Sequence, residues 1–543
     1  MMKVKINKTL VFLSLLSLVA GFFYSHDLFF IYLKYRDFFP QIIFNWPDAN
    51  ANYFFVKLFT ENNTLSFYEP LNIITDNIIH TRSINVLNGS LVPMSWLWPI
   101  ILWASLAKVF DLFSVLWLNP ILAILSLWLV YAISQYLFKD KNLSFLITAL
   151  LAFFAPWLYF ANLVMLPSIL IIFLYLLSTY LFLYTFSNSR VRGNYGGIVI
   201  FSIASVVFAL SVLARPSEFI WLASILLFSV YFNKNKIKTK HYFIFISICL
   251  LFTGITLYFN KLVYGAYFSF GYLNLQSDST NFSSLSSAFG GRYLLNFFLP
   301  FAWQTKIFLR NIFYHFILLI WPYWILVFTA LIILRKKVFT LENIWKKYLL
   351  ICLVASFLLF IYYANWDIAD QSVKQYNKIS NSYIRYFLPL YILWLPIFAK
   401  SIQVIFKKYF YQSIIIILLS IFSLHLAFYA SFDGLLVQKK NINIYYQQFE
   451  QVKKIVPQDA IILTIKSDKI FFPAYQVIVP QGDLPLWPRI AKLLTQRSAF
   501  YVHDLSDTDL AKEKAVALQA GIELKFISEL ANNFKLEELK LIK

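Results

Sequence analysis

Apolar runs of bilayer-spanning length recur about a dozen times between Leu10 and Ala430. Each crossing of a hydrocarbon core needs ~20 predominantly apolar helical residues. In lipid, backbone polar groups must be satisfied within the segment, so such runs fold as helices. A soluble core has no use for so many of them. Charged residues supply only 13% of the 543, against ~25% in ordinary soluble domains. The expected fold class is a polytopic α-helical membrane protein of about 11 to 13 spans, with parity favouring an odd number.

The net charge of +21 invites a nucleic-acid reading, so its distribution matters. From Asn441 onward there are 13 basic and 12 acidic residues, leaving 34 of the 47 basic and 14 of the 26 acidic ones in residues 1–440. That excess sits in short clusters between apolar runs, such as Lys139/Lys141, Arg190/Arg192, Lys234–Lys240, Arg335–Lys347 and Lys400–Lys408. Short basic loops belong to the cytoplasmic side. The charge thus reports topology in a cytoplasmic-type membrane, and no nucleic-acid partner is expected. Lys3, Lys5 and Lys8 precede the run Leu10–Phe23, no convincing small-residue cleavage site follows, and Tyr24–Tyr35 stays aromatic-rich. An uncleaved first span with a cytoplasmic N-terminus is expected. Cys249 and Cys352 lie singly in apolar runs and read as buried thiols.

With those clusters inside, the other connections are extracytoplasmic: about Ser25–Ser90, Asn260–Arg310, Asn365–Asn381, and everything after a last span near Ser413–Ala430. Leu91–Phe138 holds apolar material for two helices but must make an odd number of crossings, so one piece is expected to be re-entrant or interfacial. Two domains are expected: a membrane module over 1–440, with the long outer loop 25–90, and an extracytoplasmic small α/β domain over 441–543. In the latter, 460–465, 475–479, 498–503 and 523–527 read as strands, with helices over 485–497 and 507–520. That alternation predicts a mostly parallel sheet. It holds no Gly-rich phosphate loop.

Polar residues beside spans are costly and therefore informative. The outer loop has Asn45-Trp-Pro-Asp48-Ala-Asn50, which looks like a loop feeding an amphipathic helix, then Ser66-Phe-Tyr-Glu69-Pro70, then His80-Thr-Arg82-Ser83. Read alone, Asp48 is an N-cap worth ~1 kcal/mol, and Glu69-Pro70 is a solvated turn. Arg215, in Leu213-Ala-Arg215-Pro216, and Arg385, in Ser382-Tyr-Ile-Arg385-Tyr386-Phe-Leu-Pro389, read equally as snorkelling residues. The scattered tryptophans mainly mark interfacial belts.

Taken in order, these segments resemble the GT-C superfamily of membrane glycosyltransferases, in the group similar to protein O-mannosyltransferases and aminoarabinose transferases. The resemblance implies an inverting glycosyltransferase that takes a sugar from a polyprenyl-phosphate donor to a protein or lipid acceptor outside the cytoplasm. Phosphate leaves readily, so one carboxylate base and cations for the developing charge suffice, in contrast to the carboxyl pair of glycoside hydrolysis. By position in the motif Asp48 is the candidate base. Arg82, with Arg385 second, is the candidate phosphate ligand because a guanidinium grips phosphate bidentately. Glu69 and His80 are candidates for orienting the acceptor or holding a divalent metal, and Arg215 for binding substrate.

Two departures stand out. The family's first-loop acidic pair is Asp48-Ala-Asn50 here, and its later acidic residue beside a proline is replaced by Val164-Met-Leu166-Pro167. Asp367 or Asp370 could stand in, although both also read as solvated loop residues. Two other readings remain. A transporter or flippase of lipid-linked intermediates would show repeats and mid-membrane charges. A scaffold would use the tail as a binding module.

Overall fold

The computed structural model describes residues 8–39, 41–187, 195–219, 222, 238–271, 304–335, 343–364, 379–480 and 486–542. The chain divides into two compact units. One comprises Met1–Asp27, Trp117–Ile255 and Gly291–Val437, the other Leu28–Leu116, Thr256–Gly290 and Gln438–Lys543. One division point, between Val437 and Gln438, lies close to residue 440, and residues 28–116 and 256–290 group with the tail that follows it.

The first unit is built from apolar helices. Among the described residues of the whole chain, seven helices are long and apolar enough to cross a bilayer, or up to nine if each of two bent pairs is one span. The chain is a multi-pass membrane protein. Part of the sequence behind the higher expected number, such as 223–237, lies outside the described residues. Both bends have a local cause. Lys141–Ala152 meets Ala155–Asn162 at 53°, and Thr305–Leu318 meets Trp321–Leu334 at 87°; Pro156 and Pro322 open the second member of each pair. Proline lacks an N–H and turns the preceding residue away from the α region. A tight reversal is built at Lys139–Asp140: Lys139 takes a left-handed C-cap (φ 54°), and the Asp140 carboxylate accepts from the N–H groups of Asn142 (2.9 Å) and Leu143 (3.1 Å).

Across Leu91–Phe138 the two helices differ in length. Leu97–Val109 has 13 residues, about 20 Å of helix against a core of about 30 Å. Leu118–Phe138, with 21 residues, is long enough to span.

The second unit carries both sheets. Strands β1 (Phe67–Tyr68), β2 (Ile84–Leu87) and β3 (Ser90–Pro93) form an antiparallel sheet in the order β1-β3-β2. Asn88 and Gly89 close the β2–β3 hairpin with φ of 49° and 82°, the positive-φ pair that a two-residue turn needs. A Cβ at Gly89 would meet Ile73 Cδ1 at 2.8 Å. In the tail, β4 (Ile461–Thr464), β5 (Gln476–Ile478), β6 (Ala499–His503), β7 (Ile522–Leu530) and β8 (Phe534–Leu541) form a sheet in the order β5-β4-β6-β8-β7. Strands β5, β4 and β6 are parallel, and β8 runs antiparallel to both β6 and β7. The sheet is therefore mixed rather than mostly parallel. Strand β8 escapes a sequence reading because Phe-Lys-Leu-Glu-Glu-Leu-Lys-Leu looks solvated. In fact Glu537 is buried and meets Lys514 at 2.9 Å.

Loop and tail share one core. Ile79 of the loop is packed with Ile461, Leu463, Ile478, Trp487 and Ile490 of the tail, and its backbone bridges to Ile478.

Candidate active site

The structure sorts the candidate residues into three groups. The first centres on Asp48. Trp46, with extended backbone (φ −104°, ψ 131°), is the N-cap of helix Pro47–Asn62, and Pro47 opens it, where its missing N–H is no loss. Asp48 therefore lies inside the first turn and is not the cap. Its half-buried carboxylate is held from elsewhere: Ser83 Oγ donates to Oδ1 at 2.5 Å. The positive end of the helix dipole favours a negative charge here.

Ser83 follows Arg82, and Arg82 is tied to residues 466–468. Its backbone N–H donates to Asp468 Oδ2 (3.0 Å). Its Nε (3.0 Å) and Nη2 (2.5 Å) donate to Oδ1, and Nη2 also donates to the Lys466 carbonyl at 2.7 Å. Two guanidinium donors thus converge on one oxygen of an internal carboxylate, which is itself fully buried. Lys469, over the Tyr445 ring, donates to the Asn45 carbonyl at 2.6 Å. Burial, reinforced by Arg82 and opposed by Asp468, pushes its ammonium down to about 7.

Glu69 and His80 form the second group, in the wall of a cavity of about 300 Å³ that also has Phe54, Phe67, Phe472 and Gln476 in its lining. Asp48 does not line it. Glu69 is buried and accepts from the Leu71 N–H (3.2 Å) and from Gln476 Nε2. The expected solvated turn is thus a latch between loop and β5. Burial holds the His80 imidazole below its ordinary value, against the raising influence of the Thr81 carbonyl and Asp468. Its Nδ1 lies 3.0 Å from that carbonyl, which places the proton of the neutral ring on Nδ1.

The third group lies in the membrane unit. Arg215 and Arg385, 170 residues apart in sequence, both lie over the Tyr386 ring, with Cζ 5.1 and 5.0 Å from its centroid. Both are buried. Arg215 is balanced by Glu218 (Nη1–Oε1 3.0 Å), and Arg385 Nη2 donates to the Tyr386 hydroxyl at 3.0 Å. Arg310, which the sequence reading passed over, donates to the Tyr383 hydroxyl one turn away at 3.2 Å. Its sequence signal was a lone arginine closing the polar-led helix Thr305–Arg310. Three guanidiniums thus meet two tyrosines on the first turn of helix Ser382–Ile405. Aromatic faces hold cations without cancelling their charge.

Asp367 and Asp370 lie outside the described residues. Among the described residues no three His, Cys, Asp or Glu side chains cluster as metal ligands. Near Asp48 in sequence, Asn50 Nδ2 donates to the Phe472 carbonyl at 3.0 Å, and its Oδ1 is buried without a hydrogen-bond partner among the described residues. No step below is routed through a metal ion.

No family model and no curated protein matches the chain. Solved structures do. ArnT from Cupriavidus metallidurans bound to undecaprenyl phosphate aligns with a TM-score of 0.55 and 9% identity over 97% of each chain. The same protein in the apo state gives 0.50 at 9% identity over the same shares. The apo oligosaccharyltransferase of Archaeoglobus fulgidus gives 0.50 at 11% identity, covering 95% of this chain and 73% of that one. The chain has a GT-C fold. Identity this low speaks to the GT-C architecture and not to the role of any residue. What it adds is that the GT-C match spans both units and the tail, not a helical core alone.

Proposed function

We propose that the protein is an inverting glycosyltransferase that uses a polyprenyl-phosphate-linked sugar and works on the extracytoplasmic face of the cell membrane. The observation that carries this reading is the GT-C fold shared with ArnT over 97% of both chains, whose structure holds undecaprenyl phosphate. The basic clusters between spans support an inner side opposite the loop and tail. The acceptor is a hydroxyl or amine of a protein or lipid.

In this mechanism the acceptor's heteroatom attacks the anomeric carbon. The bond from that carbon to the phosphate oxygen breaks with inversion, and the polyprenyl phosphate departs with the electron pair. The acceptor's proton goes to the Asp48 carboxylate, which Ser83 keeps oriented. A departing phosphate needs cations for its charge, and within the membrane unit Arg385 and Arg215, with Arg310 beside them, are the candidates for that role. Arg82, the first phosphate candidate by its place in the motif, shares its guanidinium with Asp468. Glu69 and His80 shape the cavity proposed to receive part of the acceptor.

The test is purified full-length protein with a panel of polyprenyl-phosphate sugars, comparing wild type with Asp48→Asn. Loss of transfer by about a hundredfold or more, with donor binding retained, is the expected result. Undiminished transfer by the variant removes Asp48 as base. Lipid movement across liposomes without sugar transfer from any donor favours a flippase instead.

A further inference from the structure

We infer that tail residues 466–472 are the positioning element for Asp48, with Asp468 clamping Arg82 so that Ser83 is held against the Asp48 carboxylate. This rests on Asp48 being the base, and it gives the tail a part in the reaction.

Three independent ties converge on the first turn of helix Pro47–Asn62. Before it, Lys469 Nζ donates to the Asn45 carbonyl at 2.6 Å. Within it, buried Asn50 donates from Nδ2 to the Phe472 carbonyl at 3.0 Å. Across from it, Asp468 takes the backbone N–H and two guanidinium donors of Arg82. All three partners lie within five residues of one another in the tail. A buried carboxylate without its cation is strongly disfavoured, so Asp468 fixes Arg82 with little freedom. Thr81 Oγ1 donates to the Arg82 carbonyl at 2.9 Å and holds the other side of that residue.

The next residue carries the consequence. Ser83 has φ of 65°, a left-handed conformation that a non-glycine residue adopts only when its surroundings impose it. In that conformation Oγ reaches Asp48 Oδ1 at 2.5 Å. Asp468 thus acts on Asp48 through Arg82 and Ser83, as a positioning residue that touches no substrate. The pair Arg82–Asp468 is separated by 386 residues in sequence, a long reach for one buried pair that leaves the tail's own core untouched.

The experiment uses the full-length protein and the variants Asp468→Asn, Asp468→Glu, Ser83→Ala and Asp48→Asn, read by transfer kinetics, pH–rate profile and hydrogen exchange over residues 81–84. Asp468→Asn is expected to lower kcat by about a hundredfold, the scale of a misplaced catalytic group, with donor KM unchanged. In Ser83→Ala the acid limb of the profile moves upward, because the carboxylate has lost the donor that favours its ionised form, while in Asp468→Asn the uncompensated Arg82 guanidinium opposes that rise. Asp468→Glu restores part of the rate, and exchange at 81–84 quickens in Asp468→Asn alone. If Asp48→Asn is inactive while Asp468→Asn keeps wild-type kcat and pH profile, the positioning role is overturned and the base assignment stands. A lowered kcat with unchanged exchange at 81–84, or an innocent Ser83→Ala, makes Asp468 merely structural and overturns it as well. An active Asp48→Asn removes the base and this inference together.

Discussion

Tyr386 gathers Arg215 and Arg385 onto one ring, and the pair tests how an arginine differs from a lysine. Arg385→Lys keeps the charge but loses the planar fork that grips two phosphate oxygens. It is expected to raise the KM for donor about tenfold, the value of one charge-assisted hydrogen bond, while leaving kcat closer to wild type than Arg385→Ala does. A second residue gives a pH signature. Burial, reinforced by Lys535 and Lys514 and opposed by Asp504, pushes the His503 imidazole down from 6.5 to about 4. Glu537 lies 4.0 Å from its Nε2 but is drawn to Lys514 at 2.9 Å, so burial prevails. Between pH 6.5 and about 4 the unfolded chain takes up a proton that the folded one refuses. Stability is therefore full above that window and lost as pH falls through it. Thermal unfolding followed across this range is expected to be flatter for His503→Gln than for wild type.

Among the elements, the tail strands were legible where apolar runs were short and bounded, as at β4, β5 and β6. Strand β8 was not, because its buried carboxylate is paid for by a lysine on another element. Nor was the sharing of a core between loop and tail. Ile79 looked like any loop isoleucine, yet it is 2% exposed among tail side chains. Ile79→Ala is expected to cost about 2–5 kcal/mol, measured as a lowered unfolding temperature of the unit that contains the tail. The bent helix pairs were half legible. Pro156 and Pro322 announce a break, but nothing in their neighbourhood announces angles as different as 53° and 87°, which depend on what each helix packs against.

For the whole molecule, the order of short motifs along the chain pointed to the GT-C fold, although no family model and no curated protein matches the chain. The wiring of the candidate site could not be read the same way. Asp468 sits in a stretch, Lys466-Ser-Asp468-Lys469, that has no local mark of importance, and its partner is named only by three-dimensional proximity. A chain cut after Val437 loses nearly half of the unit that holds residues 28–116. That loop is then expected to become sensitive to limited proteolysis while the membrane helices stay protected. The Arg82–Asp468 clamp also sets an order of events during biosynthesis. Arg82 is translated early and Asp468 near the end, so the loop bearing Asp48 spends nearly the whole of synthesis without its clasp. The last quarter of the chain to leave the ribosome is what finishes the first loop, and a truncated or stalled product carries Asp48 but not the geometry around it.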